Sequence, residues 1–366
     1  MPETVGNEAN YRGETIPEIE LGVNLVATQD TVEADSWDNQ YDANAQYKYD
    51  SYDVGVTYPF TINGATVNLQ KQENGIFKNV DDTTDKTNYL ADEAGFKSFV
   101  ELSQNNDPSI MNNDLVLADD IDMGGEAMTP IGANTSTVYS FSGNVDGAGH
   151  TISNVNLGTG RAYGNGLFSA IAGSSVKNLT VKGLDIGYVP GNWGNIIGGI
   201  TGYVWSSTTF ENVHIVDCTL RGFGKVGGIV GMIGDPAFTV TFKNCSVENT
   251  TISATYDCAG LLGLSLGTTV VDDTNTVDVT WQRDSSQEYV ELDTTIACSE
   301  GAAASCPGPL TPVKGIYWND GSYYWGGFAK YYIQYGKSSH DCILTDVTSE
   351  TGLELANSEL CINTLD

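Results

Sequence analysis

Between residues 150 and 268 the chain repeats a pattern of apolar and polar positions. Four segments align: ISNVNL (152–157), VKNLTV (176–181), FENVHI (210–215) and FKNCSV (242–247). Each has asparagine third: Asn154, Asn178, Asn212 and Asn244. The residues one and three places on are Val155/Leu157, Leu179/Val181, Val213/Ile215 and Cys245/Val247, whereas the residue between is polar. Period two predicts a strand with one buried face. A second block follows each strand: GLFSAI from Gly166, GITGYV from Gly199, GIVGMI from Gly228 and GLLGLS from Gly260. The asparagines are 24, 34 and 32 residues apart and the glycines 33, 29 and 32. Two independent markers sharing a period near 30 define a structural repeat.

A unit of two or three short strands cannot bury its own apolar face, but stacking each unit on the next buries a continuous core. The predicted fold is all-β: a right-handed parallel β-helix in which equivalent residues stack about 4.8 Å apart. The four asparagines then form a side-chain ladder from coil to coil. A ligand-binding row is the other reading, but an amide at the same place in every coil is what stacking demands. Cys218, Cys245 and Cys258 fall at largely apolar positions of the repeat, as small buried hydrophobes do.

The flanks differ from the repeat. TYPFTI and ATVNLQ, joined by Asn63-Gly64, form a hairpin signal. Residues 92–103 carry an apolar stripe of Phe96, Phe99, Val100 and Leu102 behind Asp92 and Glu93. This predicts a helix that caps the first coil and covers its unpaired strand edge. Beyond residue 270 the chain becomes polar and then aromatic. GIYWNDGSYYWGGFAKYYIQYG (315–336) predicts two aromatic-rich strands around a turn at Asn319, Asp320 and Gly321. The expected organisation is a β-rich arm or module tail over 1–89, the capped β-helix over 90–270 and an aromatic cap over 271–366.

Composition narrows the function. Sixteen basic against 47 acidic residues leave a net charge of −31. A field of that sign repels nucleic acid and anionic membranes and attracts divalent cations. No apolar run is long enough to span a bilayer, so no membrane insertion is expected. The polar residues after Met1 contain no signal peptide. Forty-two glycines against ten prolines suit a turn-rich β fold. Of seven cysteines, Cys298 with Cys306 and Cys342 with Cys361 are close enough in sequence to be disulfide candidates.

The order VLADDIDMGGEAMTPIG, FSGNVDGAGHTISNVNL, GNGLFSAI and VGGIVG resembles bacterial surface proteins with GLUG-type repeats. That resemblance covers roughly residues 90–268 and implies an extracellular, adhesin-like parallel β-helix of secreted or surface-bound origin. Residues 3–45 resemble the end of a camelysin-like matrix-fibre domain. There, a strand similar to IELGVNLVATQ closes a β-sandwich. The resemblance implies a module tail, or an arm that could pair with another sheet by strand addition.

No paired carboxylates fall in outward rows of neighbouring coils, as a glycosidase or lyase on this fold requires. His150, His214 and His340 show no metal-ligand spacing. Asp119, Asp120 and Asp122 are a weak calcium candidate, having oxygen ligands of the right type; no other cofactor is indicated. Tyr317, Trp318, Tyr323, Tyr324 and Trp325 are the ligand-binding candidates, because exposed Trp and Tyr stack on sugar rings. The expected function is that of a non-catalytic extracellular surface protein, adhesin-like, with a host or matrix glycan or protein as partner. The alternatives are a structural fibre or stalk subunit that self-associates by strand addition, and a polysaccharide lyase or glycosidase.

Overall fold

A computed structural model describes residues 51–133, 137–159, 164–173, 175–187, 196–254 and 257–281. It also places strands or short stretches at 289–295, 312–319, 324–325, 327–329, 331–335, 343–344, 356–357 and 360–363. The chain is a parallel β-solenoid of about six turns. The expected arm within residues 1–50 lies outside the described residues.

One coil shows how the sequence pattern becomes structure. Strand Ser175–Lys182 runs along one wall, kinks at Asn178 and is followed, after Gly183, by Asp185–Gly187. Ile196–Gly198 and Thr201–Val204 then form two further walls, and the chain re-enters the first wall at Thr208–Val216. Each strand pairs in parallel with its counterpart one coil on. Val176 lies beside Phe210, Val181 beside Ile215, Ile197 beside Val226 and Val204 beside Ile233. All of these side chains are fully buried. Like stacks on like, as with Phe210 and Phe242, whose rings lie 5.4 Å apart and 16° from parallel. Each such side chain contributes about 1.5–3 kcal/mol by leaving water, and one continuous column of them forms the core.

The corner between the second and third walls explains the glycine block. Gly199 donates to the Gly228 carbonyl, and Gly228 to the Gly260 carbonyl. A Cβ on Gly228 would lie 2.1 Å from that carbonyl oxygen, so the backbones of successive coils touch where no side chain fits.

The first end is capped by two devices. Helix α1 (Glu93–Ser103) starts at Asp92, whose side chain accepts from the Gly95 N–H at 2.7 Å. It buries Phe96, Phe99 and Val100 on the first coil, with Phe99 against Phe141. Leu102 is only partly buried. Strands β1 (Thr57–Ile62), β2 (Ala65–Lys71) and β3 (Phe77–Asn79) form an antiparallel meander. Through β4 (Asn88–Leu90) it joins the parallel wall. Asn63 and Gly64 make the tight β1–β2 turn with φ of 50° and 79°.

The structure divides the chain differently from the expected organisation. Residues 57–79 extend the solenoid's own sheet, so the boundary at residue 89 does not separate them from it. Nor does the solenoid stop at 270. Thr276–Trp281, Gly327–Ala329 and Tyr332–Tyr335 pair in parallel with the preceding coil and complete another turn. Strands Tyr289–Thr295, Pro312–Asn319 and Tyr324–Trp325 form a separate antiparallel sheet inserted within that last turn. Sequence periodicity fades here because one coil is split by its insertion.

Candidate functional site

The asparagines come first, because they are the most regular polar feature. Asn178, Asn212 and Asn244 share one row at the kink of the first wall, with φ of 52°, 55° and 47°. Asn is tolerated in this left-handed region because its short amide bonds locally. Asn244 Nδ2 donates to Asn212 Oδ1 at 3.0 Å, and Asn212 Nδ2 to Asn178 Oδ1 at 3.2 Å. Asn178 Nδ2 then donates to Asp146 Oδ1 at 3.1 Å. His214 Nε2 lies 3.1 Å from Asn212 Oδ1, and its Nδ1 lies 2.7 Å from Ser246 Oγ.

Asn154 departs from the expected ladder. It belongs to a second row of left-handed residues, Asn154, Gly183, Asp217 and Asn249, at the next bend. Its amide donates to Asp122 Oδ1 at 2.8 Å, while Asn249 Nδ2 donates to Asp217 Oδ1. Both bends are followed by apolar residues one and three places on, which is why they align in sequence. The signal that separates them is the 24-residue interval from Asn154 to Asn178, out of step with the 33 residues between Gly166 and Gly199. Both rows join coils through side-chain amides that donate to an oxygen on the neighbouring coil.

The three aspartates do not converge as a set. Asp119 and Asp120 gather with His150, their nearest ligand atoms lying within 4.8 Å of one another. Tyr52 donates to Asp119 Oδ2 at 2.8 Å, and Asp120 Oδ1 accepts from the Thr151 N–H at 2.8 Å. Asp122 is held elsewhere, by the Gly124 N–H and the Asn154 amide, and these bonds keep its carboxyl below the usual range. Strand residues two apart are about 6.6 Å from each other, so Asp120 and Asp122 each bond their own neighbour on the next coil. Two carboxylates with an imidazole are not the all-oxygen set that calcium takes. The three-aspartate calcium candidate is corrected accordingly.

A cleft of about 540 Å³ lies between α1 and residues 123–129, lined by Val100, Gln104, Met123 and Met128. Lys97 crosses it, pairing with both Glu93 and Glu126.

Cys218, Cys245 and Cys258 are buried. Burial pushes the thiols of Cys218 and Cys245 up to about 11. Neither is a nucleophile at neutral pH. Cys298, Cys306 and Cys342 lie outside the described residues, and Cys361 is placed on strand Leu360–Asn363.

Of the expected aromatic site, Tyr317 and Trp318 lie on strand Pro312–Asn319 and Tyr324 and Trp325 on the strand opposite, with Trp318 paired to Trp325. Tyr323 lies outside the described residues. Tyr331 and Tyr332, from the same sequence segment, are buried in the solenoid core.

A different aromatic pair is presented outward on the third wall. In strand Thr201–Val204, Val204 points into the core and Tyr203 outward, beside Ala170 and Met232 of the neighbouring coils. Trp205 follows at the corner. Its ring lies 5.3 Å from that of Tyr203 and 14° from parallel. The benzo edge of the indole rests over Gly234, where a Cβ would come within 2.8 Å. Trp205 is 44% exposed. Sequence reading passes over the pair because TGYVW reads as one more apolar strand of the repeat.

No family model matches the chain. An alignment 136 positions long, which covers 34% of the chain, is 31% identical to halomucin of Haloquadratum walsbyi. The matched stretch spans 1% of halomucin's length. Among solved structures, a candidate immunoglobulin A1 protease from Bacteroides ovatus is similar with a TM-score of 0.39 and 15% identity. That alignment covers 73% of this chain and 82% of the other. No helix among the described residues is long and apolar enough to cross a membrane.

Proposed function

We propose that the chain is a non-catalytic surface or secreted protein, an adhesin-like solenoid that binds a glycan or protein ligand along its outer walls. The observation that carries this reading is the solenoid itself, which lines up outward side chains of successive coils on extended walls. The local identity with halomucin supports a surface or secreted setting. So does the net charge of −31, which keeps such a wall soluble and unattractive to polyanions. The resemblance of the repeat to GLUG-type surface proteins points the same way.

The test is to incubate the purified full chain with labelled polysaccharides and extracellular-matrix proteins, scoring retention and breakdown in parallel. Reversible retention without new reducing ends, unsaturated products or cleaved peptide is expected. Product that accumulates with time and enzyme concentration would overturn the non-catalytic reading.

A further inference from the structure

We infer that Tyr203 and Trp205 form a stacking platform for the pyranose ring of a neutral glycan. This deepens the proposed function and rests on it. The exposed surface of Trp205 has a definite shape. Tyr203 stacks against one face of the indole, and Gly234 meets its benzo edge. Beside these two contacts Trp205 keeps 44% of its surface open. A flat ring held from behind by a second ring loses little rotamer freedom on binding, which is what lets Trp and Tyr serve as contact surfaces. A pyranose offers a matching flat patch of C–H bonds.

The surroundings suit the hydroxyls at the edge of such a ring. Ser207 follows closely in the chain; its Oγ accepts from the Thr239 N–H at 3.0 Å and keeps its own proton to donate. Asp235, next to Gly234, uses Oδ1 to accept from the Ala237 N–H, leaving Oδ2 for a sugar hydroxyl. Met232 widens the apolar floor beside Tyr203. Charge then selects among sugars. In a chain of net charge −31, with Asp235 beside the platform, uronic, sialic and sulfated glycans are repelled and neutral ones are not.

The experiment is glycan-array binding of the full chain to neutral and acidic oligosaccharides, followed by titration of the best neutral one. Trp fluorescence and isothermal calorimetry give the readouts. Trp205→Ala is expected to weaken binding about tenfold or more, and Trp205→Phe less, because the stacking face survives. Gly234→Leu, which pushes the indole from its seat, should weaken binding as well. A melting curve for each variant separates lost binding from lost fold. Neutral-glycan binding that survives intact in a folded Trp205→Ala protein would overturn the platform and leave the adhesin-like reading standing. So would retention of acidic glycans or matrix protein with no neutral glycan bound. Turnover of the oligosaccharide would instead overturn the non-catalytic reading, whatever happens at Trp205.

Discussion

The side-chain amide of Asn63, at the tip of the N-terminal hairpin, donates to Asp146 Oδ2 at 2.9 Å across 83 residues of sequence. The other oxygen of the same carboxylate accepts from Asn178 Nδ2 and the Ala148 N–H. Lys177 Nζ lies 3.2 Å from Oδ2. Every amide in the row Asn244, Asn212, Asn178 points its N–H toward this end. Amides aligned head to tail polarise one another, and a carboxylate is the acceptor that suits the donor end of such a chain. Asp146 therefore ends the ladder and fastens the hairpin to it.

Asp146→Ala leaves several donors without an acceptor in a nearly buried place and should cost about 3 kcal/mol, with Asp146→Asn costing less. Burial tends to raise the Asp146 carboxyl, but the bonds from Ala148, Asn63, Asn178 and Lys177 outweigh it and the net shift is downward. A lowered pKa in the folded state means the contribution is complete above the unfolded value of about 3.9 and is lost as pH falls through the folded one. Urea midpoints measured from pH 6 downward should fall more gently for Asp146→Asn than for the parent chain. Parallel curves would show that Asp146 does not titrate with unfolding.

The ladder makes a second claim, that asparagine is needed at Asn212 both for its amide and for its backbone. Asn212→Gly keeps the left-handed conformation and loses only the amide bonds, so a cost of about 1–2 kcal/mol is expected. Asn212→Ala adds the penalty of a Cβ at a φ of 55° and should cost about 1–2 kcal/mol more. Denaturant unfolding of both variants reads the difference directly. Equal losses would mean that the backbone conformation relaxes when the amide goes.

Cys218, Cys245 and Cys258 should resist alkylation in the native protein at pH 8 and react once it is unfolded. Their burial denies access, and for the first two it also denies ionisation. Mapping labelled cysteines by mass spectrometry tests each thiol separately. Rapid native labelling at Cys245 would mean that the coil around Phe242–Val247 opens locally.

Much of this fold is written in period two. The apolar residues at positions one and three after Asn178, Asn212 and Asn244 are the ones that enter the core, and Asn63-Gly64 makes the hairpin turn. The second row of bends leaves a fainter mark in the sequence. A left-handed residue can be Asn, Asp or Gly, and the row uses all three at Asn154, Gly183, Asp217 and Asn249. No single letter repeats there. The aromatic pair is hidden in the sequence for another reason. Whether a Tyr in a strand faces in or out depends on register, and Trp205 lies one residue beyond the strand, where alternation no longer applies.

Gly183 is the member of the second row that lacks a side chain, and this suggests a stabilising change. Its φ of 65° is one that asparagine adopts at Asn154 and Asn249 in the same row. A Cβ there would stand 3.1 Å from Asn154 Oδ1, which is the end of a side chain and can shift. From that position an amide at residue 183 can donate to Asn154 Oδ1, continuing the direction in which Asn154 donates to Asp122 and Asn249 to Asp217. Gly183→Asn also restricts the unfolded chain, so a gain of about 0.5–1 kcal/mol is expected. Gly183→Ala restricts the unfolded chain as well but brings no amide and strains at positive φ, so it should destabilise. A rise in melting temperature for the asparagine variant with a fall for the alanine variant would identify this bend as a ladder position. A fall for both would mean that the gap at Gly183 is needed by the close approach of Asn154.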